Sequence, residues 1–162
     1  MKKVLCVFVS IFMLFSTCEA YTKWLKYVNE RFGYSIDYPQ IFVKKRESNN
    51  GDGLWLESKD GKIKLTLSGG YNVLDWTGHD MLQWDTSKDI IEMDINAVSY
   101  KNVYYENNNI VHHYGTIDER TWAAFWLTFP KNRKKELDAA IKRMERTLQL
   151  GSDDWEENII IE

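Results

Sequence analysis

The chain has 162 residues, of which 44% are hydrophobic and 28% charged, and this composition excludes the disordered, collagenous and fibrous classes of protein. Lys and Arg number 21 against 24 Asp and Glu, so the formal net charge at pH 7 is −3. This slight acidic excess makes nucleic acid an unfavourable partner, and the length suits one domain.

The first twenty residues have the pattern of a secretory signal peptide. Two lysines precede an uncharged, largely apolar run over residues 4–15, which is shorter than the roughly 20 residues of a membrane-spanning helix. Small residues at Cys18 and Ala20 favour cleavage after Ala20, so we expect residues 1–20 to be removed. Two alternatives stay open: Cys18 carries a lipid within a degenerate lipobox, or the segment is retained. All three predict a domain outside the cytoplasm.

Both cysteines, Cys6 and Cys18, lie in this segment. A domain that begins at Tyr21 therefore has no disulfide and no Cys-ligated metal, and its core must stabilise it. Exported domains of this kind are more typical of bacteria than of animals, whose small secreted modules rely on disulfides. We expect one domain over residues 21–150 and an acidic tail over residues 151–162.

Strand patterns dominate the first half of the domain. Apolar and small or polar residues alternate over residues 32–38 and Pro39 ends the run, which predicts a half-buried strand. Residues 53–58 and 62–67 are extended runs joined by an Asp-Gly turn, and they predict a hairpin. The core-facing side chains of its second strand are predicted to be Ile63, Leu65 and Leu67.

The middle of the chain changes its periodicity. Over residues 77–93 apolar residues recur every three or four positions, which predicts a short or interrupted amphipathic helix. Residues 97–105, 110–117 and 121–129 then predict an antiparallel meander. The last of these runs is apolar on both faces over residues 122–127, which predicts a central strand covered on both sides.

The segment 131–149 predicts the clearest helix. Its apolar stripe contains Leu137, Ile141, Met144 and Leu148, and Gly151 follows as a stop. Lys and Arg dominate the rest of its surface. We interpret that basic surface as a solvated helix face, with contact to anionic lipid or an anionic polymer as the alternative.

Three stretches carry a resemblance to a known class. They are residues 27–39 with the run FGYSIDYP, the turns at 50–53 and 58–61, and LTFP at 127–130 before the final helix. They resemble small exported bacterial proteins of the Mog1/PsbP-like class, including DcrB-like lipoproteins. The resemblance implies an α+β fold in which helices flank an antiparallel sheet, an α/β/α sandwich, and a non-enzymatic binding or assembly role. It implies no functional residue.

Motifs for metal binding and catalysis are weak. His112 and His113 are adjacent on a predicted strand, point to opposite faces and cannot chelate one ion; we expect one to face solvent and the other to be packed. A calcium loop beginning at Ser48 fails because Lys59 replaces the bidentate Glu, so we expect a turn there. No metal or cofactor site is therefore predicted, and no nucleophile or phosphate-loop motif is present.

Tryptophan is the most informative residue type, and all seven lie beyond residue 20. Trp122 and Trp126 are interpreted as packing residues on the central strand. Trp76 and Trp84 flank His79 in the irregular middle segment, where a partly exposed indole would stack on a sugar or anchor a protein partner. The alternative is that these two indoles cover the second face of the sheet.

The sequence as a whole predicts an exported, non-catalytic binding or assembly protein of the bacterial envelope. Its predicted partners are an envelope protein or polysaccharide, with membrane contact only through lipidation at Cys18. Trp76, His79 and Trp84 are the candidate binding residues. One alternative is a small envelope hydrolase that uses Asp75 and His79 as a base and its orienting group, and another is a secreted effector or its immunity partner.

Overall fold

The computed structural model describes residues 23–82 and 89–151. The predicted signal peptide, Cys18, Trp84 and all of the acidic tail beyond Gly151 lie outside these residues. No helix within them is long and apolar enough to cross a membrane.

The described residues form ten β-strands and two α-helices. The strands are β1 (Trp24–Asn29), β2 (Tyr34–Pro39), β3 (Phe42–Glu47), β4 (Gly53–Ser58), β5 (Lys64–Tyr71), β6 (Asp89–Ile95), β7 (Ser99–Glu106), β8 (Asn109–Ile117), β9 (Thr121–Pro130) and β10 (Gln149–Leu150). The helices are α1 (Gly78–Met81) and α2 (Lys134–Thr147), and a 3-10 turn (Lys131–Arg133) leads into α2.

A large antiparallel sheet has the strand order β3-β4-β5-β9-β8-β7-β6. The hairpin predicted over residues 53–67 is confirmed as β4 and β5, and the predicted meander is confirmed as β7, β8 and β9. Strand β9 is fourth of the seven, so its predicted central place is also confirmed.

One surface of the large sheet, which we call the inner face, is covered by other elements of the described chain. The small sheet β1-β2-β10 and helix α2 supply the side chains that meet it in one continuous core. From α2 the predicted stripe is buried, with Leu137 and Met144 at 1% and 0% exposure. The large sheet contributes Leu54, Leu56, Leu65, Leu67, Phe125, Leu127 and Phe129. Each buried apolar side chain contributes about 1.5–3 kcal/mol, which holds α2 against the sheet.

The half-buried strand predicted at residues 32–38 is wrong in its burial. In β2 every residue except Asp37 is buried. The reason is that β1 and β10 pair with both edges of β2, and α2 lies against it, with Arg143 donating to Asp37 at 2.7 Å. Alternation reports which residues face a core, but not what covers the opposite side.

Among the described residues, helix α2 covers the inner face and only the short helix α1 packs on the other face, so the predicted α/β/α sandwich is confirmed in part. On the opposite surface, the outer face, the four-residue helix α1 and Leu82 pack against Tyr100 and Ala124. The helix predicted over residues 77–93 is confirmed for Gly78–Met81 and is wrong over residues 89–93, which belong to strand β6 and pair with β7; residues 83–88 lie outside the described part.

Gly78 explains how α1 fits there. A Cβ atom on this residue would lie 2.3 Å from the Asn96 carbonyl oxygen and 2.5 Å from that of Ser99, so only glycine allows the helix to approach the β6–β7 turn this closely. Strand propensity and pairing with β7 decide the structure of the following isoleucine-rich segment, whatever its three-to-four spacing.

Candidate functional site

Three connections meet at one end of the large sheet, which we call the loop end. They are residues 72–77 after β5, residues 96–98 between β6 and β7, and residues 118–120 between β8 and β9. The antiparallel register brings them together, since Tyr71 pairs with Thr121 and Ile117 with Trp122. They enclose a cleft of about 670 Å³. Its lining residues are Asn72, Asp75, Trp76, Thr77, Ala97, Val98, Ile117, Asp118, Glu119 and Arg120.

The shape of this cleft depends on one buried amide. Asn72, 8% exposed, donates through Nδ2 to the carbonyl oxygens of Trp76 at 2.9 Å and Asp118 at 2.8 Å. Its Oδ1 accepts the Trp76 N–H at 2.8 Å. The loop turns sharply inside this frame, and Asp75 takes a left-handed conformation with φ +50°. These bonds fix the 72–77 loop to the β8–β9 turn.

Exposed aliphatic side chains belong to the connections that form the cleft. Val73, Leu74 and Val98 are 80%, 63% and 61% exposed, and the half-buried Trp76 lies among the lining residues. Apolar side chains that cluster on a surface held in place by hydrogen bonds are typical of an interaction site, because water contact with them is unfavourable.

Charge at the loop end is mainly acidic. Asp75, Asp118 and Glu119 line the cleft against Arg120. The Asp118 carboxylate accepts the backbone N–H groups of Arg120 at 2.8 Å and Thr121 at 2.7 Å, which stabilises the tight β8–β9 turn. Asp75 and Glu119 are exposed and give the cleft a negative margin.

The structure places the candidate residues predicted in the middle segment at different positions relative to the cleft. Trp76 and Asp75 line the cleft, whereas the exposed His79 lies on α1 and does not. In the part of the chain that is described, no hydrogen bond or ion pair joins Asp75 to His79. Asp80 accepts the Thr77 N–H at 2.8 Å and the Thr77 hydroxyl at 2.7 Å, and these bonds lower the pKa of its carboxyl. Its role there is to stabilise the start of α1.

The histidine pair also departs from expectation. His112 and His113 do point to opposite faces of the sheet, but the expectation that one meets solvent is wrong, since they are 6% and 5% exposed. His112 Nε2 lies 2.9 Å from Glu145 Oε1 on α2. The His113 ring stacks on Trp126 with centroids 4.2 Å apart. Within residues 23–82 and 89–151, no three His, Asp or Glu side chains are grouped to hold a metal ion.

A second cleft, of about 770 Å³, lies at the opposite end of the large sheet. Lys62, Lys131 and Arg133 line it together with Asp60. Arg133 donates to Asp60 at 3.2 Å and to Glu136, and the Lys131 ammonium lies 3.9 Å from the centroid of the Tyr105 ring. Because Arg133 is already engaged by Asp60 and Glu136, this cleft is a weaker candidate than the loop end.

Several residues of the loop-end cleft escaped prediction. The Asn72 amide donates to the carbonyl oxygen of Asp118, which is 46 positions away in the sequence. Only the register of the strands brings these two residues together. Val98 lies in the turn between β6 and β7, where the sequence has no motif that indicates a binding site. The one local signal was Val73 and Leu74, two consecutive aliphatic residues after a strand that ends at Tyr71.

No protein-family model and no curated protein matches the chain. The solution structure of cyanobacterial PsbP (CyanoP) from Synechocystis sp. matches 78% of this chain and 92% of its own, with a TM-score of 0.58 at 11% identity. The chain has a PsbP/Mog1-like fold. This confirms the resemblance at the level of the fold, while its DcrB-like part stays a prediction.

A crystal structure from Bacteroides thetaiotaomicron also matches this PsbP-like fold. It covers 80% of this chain with a TM-score of 0.50 at 15% identity, and this chain spans about half of that protein, 49% of its length. At such identities the likeness concerns the path of the backbone, so the chemistry of the loop end has to be judged from this chain's own residues.

Proposed function

We propose that this protein is an exported, non-catalytic binding protein of the bacterial cell envelope that holds a protein partner at the loop end. The observation that carries the proposal is the group of exposed aliphatic side chains, Val73, Leu74 and Val98, around a cleft lined by Trp76. Export rests on the signal-peptide pattern of residues 1–20.

The chemistry of the loop end fits a protein interface. Such interfaces have an apolar centre with an aromatic anchor and a polar, charged rim. Here Trp76 supplies the aromatic group, Val73 and Leu74 supply apolar area, and Asp75 and Glu119 supply the charged margin. The bonds of Asn72 hold the loop before a partner arrives, which lowers the entropy cost of binding.

The described contacts favour binding over hydrolysis. The alternative hydrolase needs Asp75 to orient or activate His79, yet no hydrogen bond joins the two residues and His79 does not line the cleft. Asp80, the nearest other carboxylate in sequence, is engaged by Thr77.

Crosslinking in cells tests the proposed interface. A photoreactive phenylalanine analogue at position 74 is expected to form a crosslink to one envelope protein, which mass spectrometry identifies. The same analogue at position 43 serves as the matched control, because Val43 is also 63% exposed but lies on β3, away from the loop end.

Substitution then tests the contribution of the apolar side chains. We expect Val73→Ser with Leu74→Ser to reduce copurification of the crosslinked partner at least tenfold, about 1.4 kcal/mol, while Val43→Ser leaves it unchanged. Equal recovery of that partner with all variants, each shown by circular dichroism to be folded, would rule out the loop end as its binding site.

The proposed export has a separate test. Intact mass measured on soluble envelope and membrane fractions is expected to give a species beginning at Tyr21. A diacylated or triacylated Cys18 terminus would instead establish the lipoprotein alternative, and an unprocessed chain in the cytoplasm would contradict export.

A further inference from the structure

In the described part of the chain, the outer face of the large sheet carries tryptophans at and beyond the edge of the area that α1 and Leu82 cover. The register places Trp55 of β4, Thr66 of β5 and Trp126 of β9 in one row across neighbouring strands. All three side chains are half-buried. Trp126 packs against the small outer cluster of Leu82, Tyr100 and Ala124, while Trp55 and Thr66 belong to neither buried cluster. We call this row the tryptophan slot, with Thr66 as its floor and the two indoles as its walls.

Each wall of the tryptophan slot is supported from behind. The Trp126 ring lies parallel to His113 of β8, with an interplanar angle of 20° and centroids 4.2 Å apart. This separation is close to the strand spacing, so the Trp126 ring stands upright and its other surface faces the space above Thr66. On the far side, the Arg46 guanidinium of β3 lies 5.5 Å from the centroid of the Trp55 ring.

The width of the tryptophan slot suits one flat ring. Strands β4 and β9 are two positions apart in the sheet, so their backbones are separated by about 9.5 Å. A ring held in van der Waals contact between two others needs about 7–8 Å between the outer planes. Thr66 is small enough to leave that space open, whereas an aromatic residue at this position would fill it.

The side chains around the slot exclude an aliphatic partner surface. The strongly exposed aliphatic residues of the described chain lie at the loop end, on β6 and in other segments, and none belongs to β4, β5 or β9. Beside the slot, Ser68 of β5 and Thr128 of β9 carry hydroxyl groups on the same face of the sheet. Indole surfaces that alternate with hydroxyl groups fit the apolar C–H face and polar edge of a pyranose ring.

Local charge indicates which kind of sugar fits. Lys44, Arg46 and Lys64 lie on this side of the sheet against Glu57, and Lys44 forms an ion pair with Glu57. Arg46 and Lys64 therefore leave the slot with a positive surrounding, although the chain as a whole carries a net charge of −3. A carboxylate-bearing ring would gain from both charges.

We propose that the tryptophan slot binds a pyranose ring of an acidic polysaccharide, with the ring stacked between Trp55 and Trp126 and its carboxylate near Arg46 or Lys64. This site is separate from the loop end, so the protein has two binding surfaces for two chemically different partners. Neither surface depends on the other.

The experiment uses the purified protein and a β-1,4-linked tetramannuronate as the probe, with neutral cellotetraose as the comparison. Nuclear magnetic resonance follows the indole N–H signals during titration. We expect saturable shifts of the Trp55 and Trp126 signals with tetramannuronate and weaker binding of cellotetraose. The dissociation constant is expected to rise at least tenfold in Trp55→Ala, and to stay unchanged in the loop-end control Trp76→Ala.

A second variant protects the test against loss of folding. Thr66→Phe fills the slot without removing either wall, and we expect it to abolish tetramannuronate binding while the protein keeps its circular dichroism spectrum. Binding that survives both Trp55→Ala and Thr66→Phe would overturn the proposed site, as would the absence of any saturable shift. Equal affinity for cellotetraose would overturn the assignment to an acidic sugar.

Discussion

The two faces of the large sheet are built by the same strands but have different surroundings. On β9 the inner residues Phe125 and Leu127 are 0% and 1% exposed, while the outer residues Trp126 and Thr128 between and beyond them are half-buried. The inner face meets the small sheet and α2, whereas α1 and Leu82 cover only part of the outer face among the described residues. Adjacent positions of one strand therefore serve stability and recognition separately.

The largest expected difference in stability between substitutions on the two faces is at the centre of β9. Phe125→Ala leaves a cavity in the sealed core and is expected to lower the free energy of unfolding by about 3–5 kcal/mol. Trp126→Ala removes a larger side chain, yet we expect a smaller loss because water already reaches it. Urea unfolding of both variants measures this, and a larger loss for Trp126→Ala would contradict the comparison.

Neighbouring glycines on β5 provide a matched pair. A Cβ atom on Gly69 would lie 2.5 Å from the Tyr34 ring and 2.9 Å from the Trp122 carbonyl oxygen, whereas one on Gly70 would meet the end of the Trp122 side chain at 3.0 Å. We expect Gly69→Ala to destabilise the protein by about 1–3 kcal/mol, because the packed inner face cannot yield.

The Trp122 side chain is half-buried at the outer cluster and has to shift by only a few tenths of an ångström, so Gly70→Ala is expected to cost less than about 1 kcal/mol. Thermal unfolding of the two variants provides the measurement. Equal shifts in Tm would mean that the outer face is as tightly packed as the inner one.

The buried hydroxyl of Tyr34 on the inner face is expected to make the free energy of unfolding depend on pH in alkaline solution. Burial raises the pKa of its hydroxyl, which donates to the Asp52 carbonyl at 2.8 Å. Because the folded-state pKa lies above the unfolded value of 10.0, this contribution to stability is complete below pH 10 and declines above it. Tyr34→Phe is expected to cost about 1 kcal/mol at pH 7 through the lost hydrogen bond.

The same variant should also weaken the pH dependence of stability above pH 10. Urea unfolding at pH 7, 9 and 11 for the parent and Tyr34→Phe tests this. Parallel profiles across that range would show that Tyr34 is not the group responsible.

The smallest expected effect on stability is that of an ion pair at the β6 edge of the large sheet. The Lys101 ammonium donates to Glu92 and lowers the pKa of that carboxyl below its usual 4.5. Its stabilising contribution is therefore present above pH 4.5 and is lost as the pH falls through the lower folded-state value. Glu92 is 56% exposed, so we expect Glu92→Gln to cost less than about 1 kcal/mol at pH 7 and nothing at pH 2. A constant difference between pH 2 and pH 7 would contradict this.

The sequence predicted those parts of the fold in which local periodicity and packing agree. Alternation located β4 and β5, and the stripe from Leu137 to Leu148 located α2, because each pattern is decided within a few residues. Residues 89–93 misled the prediction, since pairing with β7 outweighed their three-to-four spacing. The burial of both His112 and His113 depended on coverage from each side of the sheet, which no local pattern records.

The candidate sites show the same limit. Trp76 was predicted from its neighbourhood in the chain, but the partners of Asn72 come from a turn 46 positions away. Trp126 was predicted as a packing residue, and its ring does pack on His113 and against the outer cluster, but the sequence did not predict that it stays half-buried beside Thr66. Strand order and register decide both cases, and they are properties of the whole sheet rather than of any segment.

The three side-chain hydrogen bonds of Asn72 all involve backbone atoms of Trp76 and Asp118. The position of the 72–77 loop is therefore specified by an amide and the main chain, and the exposed side chains of Val73, Leu74 and Glu119 take no part in these bonds. Replacement of Val73, Leu74 or Glu119 would change which partner is recognised while the scaffold stays constant. Recognition at this end of the protein can consequently diverge during evolution at little cost in folding.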